Sequence, residues 1–255
     1  MLEVRGLSKR FGGLQAVRDV DLDVAAGSIT ALIGPNGAGK TTSFAMIAGF
    51  IRPDAGRVAL EGRAITALRP DRIAAHGLVR TFQITQPFAG LSVAENIRIG
   101  AFLHVAEPAA AMAAARAIGT RLGLGPLLDR PAASLTVAGR KRLELARALA
   151  TQPRLLLLDE VMAGLNPAEI GEIVGLIREI RTAGVTILLI EHIMQAVASL
   201  AERVYVLAEG ALIATGSPRE IAENPAVIEA YLGHGAAARL ARTHSSPFDQ
   251  AAPHG

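Results

Sequence analysis

Gly34-Pro35-Asn36-Gly37-Ala38-Gly39-Lys40-Thr41 fits the pattern G-x-x-x-x-G-K-[ST], that of a loop built to cradle phosphates. The chemistry accounts for each residue type. Gly34, Gly37 and Gly39 let the backbone turn so that successive N–H groups point into one concavity, a nest for an anion. A helix beginning at Lys40 adds the positive end of its dipole. Lys40 brings a compact charge to the outer phosphates, and the hydroxyl of Thr41, followed by Thr42, is a hard oxygen ligand for Mg²⁺.

Outward from this loop, the chain alternates short apolar runs with helical stretches. ITALI (29–33), LLLL (155–158) and VTILLI (185–190) lack the polar alternation of a half-exposed strand, so both faces are expected to be covered. Residues 41–50 follow the first run as a helix, and 167–182 form one between the second and third. This order predicts an α/β fold with a mainly parallel sheet. The opening differs: Leu2-Glu3-Val4 and Val20-Asp21-Leu22-Asp23-Val24 alternate with period two, which suits antiparallel strands with one wet face. Residues 58–60, and 204–207 with 211–214 around Glu209-Gly210, add strand and hairpin candidates. From about 92 to 147 the chain is alanine-rich, helical in pattern and punctuated by proline, and is expected to be an inserted helical subdomain. The tail from 234 to 255 lacks periodicity and is expected to be loosely ordered.

The apolar strands end in chemistry. LLLL runs into Asp159-Glu160, and VTILLI into Glu191-His192. Ligands of open α/β sheets collect at the carboxyl ends of strands, so these residues are expected at the edge that carries the phosphate loop. Asp159 suits holding Mg²⁺, directly or through water. Glu160 suits a general base for the attacking water. His192 suits a donor to the γ-phosphate.

The bulk numbers bound the rest. A chain of 255 residues that is 51% hydrophobic has ample core, which excludes disorder over its whole length. With no cysteine, neither disulfides nor thiolate metal sites exist. A formal charge of +3 permits an anionic surface as partner without demanding one. The start, MLEVRGLSKRF, has no apolar segment of the signal-peptide kind, and no uncharged run approaches the roughly 20 residues that span a bilayer. Work at a membrane therefore implies an embedded partner.

Residues 1–233 resemble the nucleotide-binding subunits of ABC transporters. The resemblance implies a P-loop NTPase of ABC type, with an antiparallel β subdomain from the early strands and an ATP hydrolase activity that uses ATP and Mg²⁺. It places Phe11 against adenine, and Gln83 in RTFQ on the metal and the lytic water. It aligns Leu135-Thr136-Val137-Ala138-Gly139 with the family's Leu-Ser-Gly-Gly-Gln signature, which touches ATP bound on an opposing subunit. Here the match is imperfect: Thr136 keeps a hydroxyl and Ala138 a small residue, whereas Val137 and Gly139 depart and the glutamine is missing. Val161 also stands where the family has proline after Asp-Glu.

GLVRTFQ, GLNP (164–167), IEHIM (190–194) and VIEAYLG (227–233) bring the chain nearer to importers of branched-chain amino acids, and to the longer of their two ATPase subunits. This implies a second ATPase subunit as hetero- or homodimer partner, two transmembrane permeases and a periplasmic or extracellular binding protein, with no nucleic acid. The chain would then sit peripherally on the cytoplasmic side of the inner membrane. In the family a permease helix docks on residues 84–102, with Phe88, Leu91 and Val93 as candidates either for its lining or for ordinary core packing. The alternatives are an ABC ATPase for another cargo, such as urea or lipopolysaccharide, or an ABC-type protein acting on nucleic acid. The latter usually carries two ATPase halves or a long coiled-coil insertion, which this chain lacks.

Overall fold

A computed structural model of the chain describes residues 1–81 and 87–232. In chain order, two long strands, β1 (Leu2–Phe11) and β2 (Leu14–Val24), precede β3 (Ile29–Ile33), α1 (Lys40–Ile47), β4 (Ala55–Leu60) and β5 (Arg63–Ala64). A helix-rich stretch follows: α2 (Pro70–Ala75), β6 (Leu78–Arg80), α3 (Val93–Ala101), α4 (Pro108–Arg121), α5 (Val137–Ala150), β7 (Leu155–Asp159) and α6 (Pro167–Thr182). The chain continues with β8 (Thr186–Ile190), α7 (Met194–Leu200), β9 (Arg203–Ala208), β10 (Ala211–Gly216), α8 (Pro218–Ala222) and α9 (Pro225–Leu232). These fall into two compact units, one holding Met1–Leu68 and the chain from Thr186 onward, the other Arg69–Val185.

In the first unit, β2, β1, β4 and β5 form an antiparallel sheet in that order. Its alternation is broken at Gly6, whose φ of 62° lies in the left-handed region, and the β1–β2 register shifts between Val4 and Leu7. That bulge is why period two is readable only at the ends of these strands, although β1 extends to Phe11 and β2 begins at Leu14. The same unit holds β3 parallel to both β8 and β9, with β10 antiparallel at the edge. Every residue of β3 and β8 is buried, as uninterrupted apolar runs require. Glu209 and Gly210 both have positive φ, 48° and 79°, and close the β9–β10 hairpin as a mirror-image turn.

In the second unit β6 and β7 pair in parallel, with β7 fully buried. Helices α3, α5 and α6 each start on a side-chain cap, from Ser92, Thr136 and Asn166, and at Ser92 and Asn166 the cap is reciprocated by Glu95 and Glu169. Asn96, fully buried on α3, ties down the segment before its helix: its amide donates to the carbonyls of Phe88 and Ser92, and its oxygen accepts from Phe88 N–H. Among the described residues, no helix is long and apolar enough to cross a membrane.

Candidate nucleotide site

Residues 34–39 turn sharply after β3 because the space around them admits little else. A Cβ on Gly34 would lie 2.1 Å from the Leu207 carbonyl oxygen, and one on Gly39 would lie 2.4 Å from that of Ala16. The loop is thus pressed onto β9 and β2, and the hairpin fastens it: Gly210 N–H donates to Ala38, and its carbonyl accepts from Arg18 N–H. Around Gly37, where φ is 80°, nothing lies within 4 Å of a Cβ, so the tip faces open space.

Lys40 is 8% exposed and donates to the carbonyls of Gly34 at 2.7 Å and Pro35 at 2.9 Å. The ammonium is thereby folded back over the loop it follows. Helix α1 begins at Lys40 with no side-chain cap and no acidic residue in its first turn. The positive end of its dipole therefore points at the loop. Thr41 is exposed at its second position, and Thr42 half-buried.

Adjacent to β3, β8 runs parallel with Leu32 opposite Ile190. Continuing that register puts Gly34 level with His192, which is exposed just past the strand, while Glu191 beside it is buried. The phosphate loop and His192 therefore leave one edge of neighbouring strands. Phe11, at the end of β1, is 46% exposed, with the Lys9 ammonium 5.5 Å from its ring centroid. Its open face can stack on a flat ring.

One neighbour of the loop was not expected from sequence. Tyr231 on α9 lines an apolar groove of about 700 Å³ together with Ile33, the last residue of β3. Burial pushes its phenol up to about 12, while a hydrogen bond from the Gly34 backbone pulls the other way. Nothing in VIEAYLG signals that partner, because it lies almost two hundred residues upstream.

The acidic pair belongs to the second unit. Asp159, 1% exposed, ends β7, and its carboxylate Oδ2 accepts from the Arg80 guanidinium at 2.7 Å. Thr81 continues the β6–β7 ladder past the last strand residue: its N–H donates to Leu157, and its hydroxyl accepts from Asp159 N–H at 3.1 Å. Glu160 follows with φ of 48°, a left-handed conformation unusual for a side chain of its size. Its carbonyl accepts from Lys141 on α5. Strained backbone of this kind collects at working sites.

On α5 the Thr136 hydroxyl accepts from Gly139 N–H at 3.1 Å, which leaves its own proton to donate. Leu135 is buried, Val137 is exposed at the first helical position, and Ala138 follows it. Gln83 lies outside the described residues. Of the candidate lining for a docked helix, Phe88 is exposed beneath the Arg147 guanidinium, 4.8 Å from its ring centroid, but Val93 is fully buried. Val93 is thus a core residue at the start of α3, and Ile99, Phe102 and Leu103 are the exposed apolar side chains at the other end.

The ABC transporter family profile matches residues 17–163, and a profile described as a branched-chain amino acid ATP-binding cassette transporter matches 211–237. The chain is 43% identical over 249 residues to the high-affinity branched-chain amino acid transport ATP-binding protein LivG of Salmonella typhimurium, covering 91% of this chain and 98% of the relative. It is 41% identical over 250 residues to the protein of like description, BraF, of Pseudomonas aeruginosa, with the same coverage. Among solved structures, the ADP conformation of the ATP-binding cassette MJ1267 superimposes with a TM-score of 0.84 at 33% identity, over 92% of this chain and 99% of that one.

Proposed function

We propose that this chain, which belongs to the ABC transporter family as an ATP-binding subunit, couples ATP hydrolysis to the import of branched-chain or closely related amino acids. The observation that carries the reading is the loop of the first unit, where an uncapped helix start, a buried lysine and close-packed glycines form a cup with an open tip. The cargo class rests on the similarity to LivG and BraF and on the profile matched at 211–237.

In this reading Gly34, Pro35, Asn36, Gly37, Ala38 and Gly39 wrap the phosphates with main-chain amides. Lys40 exchanges its carbonyl partners for phosphate oxygens, and Phe11 stacks on the base. Magnesium fits the donors present: the Thr41 hydroxyl and the Asp159 carboxylate are hard oxygens. Among the described residues, no group of three or more His, Cys, Asp or Glu is placed to hold a metal. When bound, Mg²⁺ neutralises charge on the phosphate oxygens. Glu160 then takes the proton of the attacking water, His192 donates to the γ-phosphate, and Gln83 orients the water.

Residues Leu135, Thr136, Val137, Ala138 and Gly139 face ATP held by a second ATPase subunit, of the same or a related sequence. Two permeases hold the pair against the cytoplasmic face of the membrane, and an external binding protein delivers cargo to them.

Glu160→Gln tests the mechanism. In the purified complex it should lower turnover by roughly 10²–10⁴ while ATP still binds. Unchanged turnover would remove Glu160 from its role. Partners recovered from membranes with the full chain should be permeases; recovery of nucleic acid in their place would overturn the transport assignment.

A further inference from the structure

The register of the second unit brings a fixed cation to the carboxylate at the end of β7. Strand β6 pairs in parallel with β7, Arg80 opposite Leu157. Side chains opposite each other on parallel strands share a face, and residues two apart on one strand share it too. Arg80 and Asp159 therefore project from the same face, one pleat apart, and the long arginine closes the gap. Their contact is 2.7 Å, with side chains 9% and 0% exposed. Thr81 holds the same residue a second time, at its main-chain N–H. Asp159 is thus held at two points by consecutive residues, the first two of RTFQ.

A buried ion pair of this kind is seldom retained for stability, because both charges lose their hydration. Its consequence for an incoming cation is specific. A guanidinium fixed on one oxygen of the carboxylate repels a divalent ion that approaches the same group, and the repulsion is strong where water is excluded. Without the guanidinium, Asp159 would be a buried carboxylate with a larger net pull on any metal. We propose that Arg80 is a positioning residue that holds Asp159 in place and weakens its grip on Mg²⁺. The pairing keeps the metal exchangeable in a protein that must release one nucleotide and take up the next. This rests on the reading above, in which Asp159 takes part in holding the metal.

The test is the affinity of the full chain, saturated with ADP, for Mn²⁺, read by electron paramagnetic resonance as free ion disappears. Arg80→Met should bind Mn²⁺ about tenfold more tightly than the parent chain. Arg80→Lys, which keeps the charge, should return to the parent value. ADP affinity without metal should be the same in all three, which a general loss of structure would not allow. Arg80→Gln keeps a polar contact without the charge and carries the same expectation as Arg80→Met, should the methionine variant fail to fold. Neutral variants that bind Mn²⁺ no better than the parent would overturn the inference while leaving the ATPase reading intact. Asp159→Asn should weaken Mn²⁺ binding; if it does not, the assignment of Asp159 to the metal fails first and the role of Arg80 with it.

Discussion

Lys141, on the helix that begins at Thr136, donates to the main-chain carbonyl of Glu160 at 3.3 Å. The lysine is 6% exposed, and the residue it holds has φ of 48°. A side chain of one element thus helps to keep the proposed general base in a backbone conformation it would not choose alone. Removing the tether should misplace Glu160 without touching the phosphate loop. We expect Lys141→Met to lower kcat of the assembled transporter by about tenfold, roughly 1.4 kcal/mol in barrier, with KM for ATP little changed. Steady-state ATPase measurements separate the two constants. An unaltered kcat would show that the strained conformation holds without the lysine.

The glycines of the loop should differ in what they tolerate. At Gly34 a Cβ would collide with the Leu207 carbonyl at 2.1 Å, backbone that cannot swing aside. At Gly37 the penalty is only the left-handed φ of 80°, since nothing lies within 4 Å. Gly37→Ala should cost about 1–2 kcal/mol. Gly34→Ala should cost at least about 3 kcal/mol, the range reached only by forced rearrangement. Denaturant unfolding of the two variants, with equal slopes, gives the comparison directly. Equal costs would mean that β9 yields to the added methyl.

The phosphate loop, the buried strand before it and the acids after LLLL were legible in sequence because each is a local pattern whose spacing the covalent chain enforces. The helix after the loop was legible too, although it ends at Ile47, ahead of Gly49 with its φ of 77°. What stayed hidden depends on register. Arg80 and Asp159 are 79 residues apart and meet only because β6 pairs with β7 at Leu78 and Leu155. A three-residue strand carries too little periodicity to announce that pairing. Lys141 reads in sequence as one more cation in RKR, and only its burial against Glu160 distinguishes it from Arg140 and Arg142. Val93 left two readings open in sequence, groove lining or core packing, and its full burial at the start of α3 decides for the core.

Thr136 has two duties that substitution can separate. Its oxygen accepts from Gly139 N–H and caps α5, while its own proton remains for a phosphate on the partner subunit in the proposed reading. Thr136→Val keeps the shape and removes both, so it should destabilise the chain by about 1 kcal/mol and lower ATPase activity in the assembled pair. Thr136→Ser should retain both. If Val lowers stability but leaves the assembled activity untouched, the hydroxyl is a cap alone.

The Tyr231 phenol offers a pH-dependent readout of how α9 sits on the loop. Its folded value is pushed from 10.0 up to about 12, chiefly by burial. The folded chain therefore keeps the phenolic proton through a window in which the unfolded chain releases it. For a raised value the sign is fixed: the contribution to stability is full below pH 10.0 and is lost as pH rises through about 12. The chain has two tyrosines and no tryptophan, so near-ultraviolet absorbance reports tyrosinate with little background. The difference titration between the parent chain and Tyr231→Phe should isolate a component with its midpoint near 12. The same substitution should flatten the alkaline fall in the unfolding midpoint. A component with its midpoint near 10.0 instead would mean that the phenol is not buried beside the end of β3 as described.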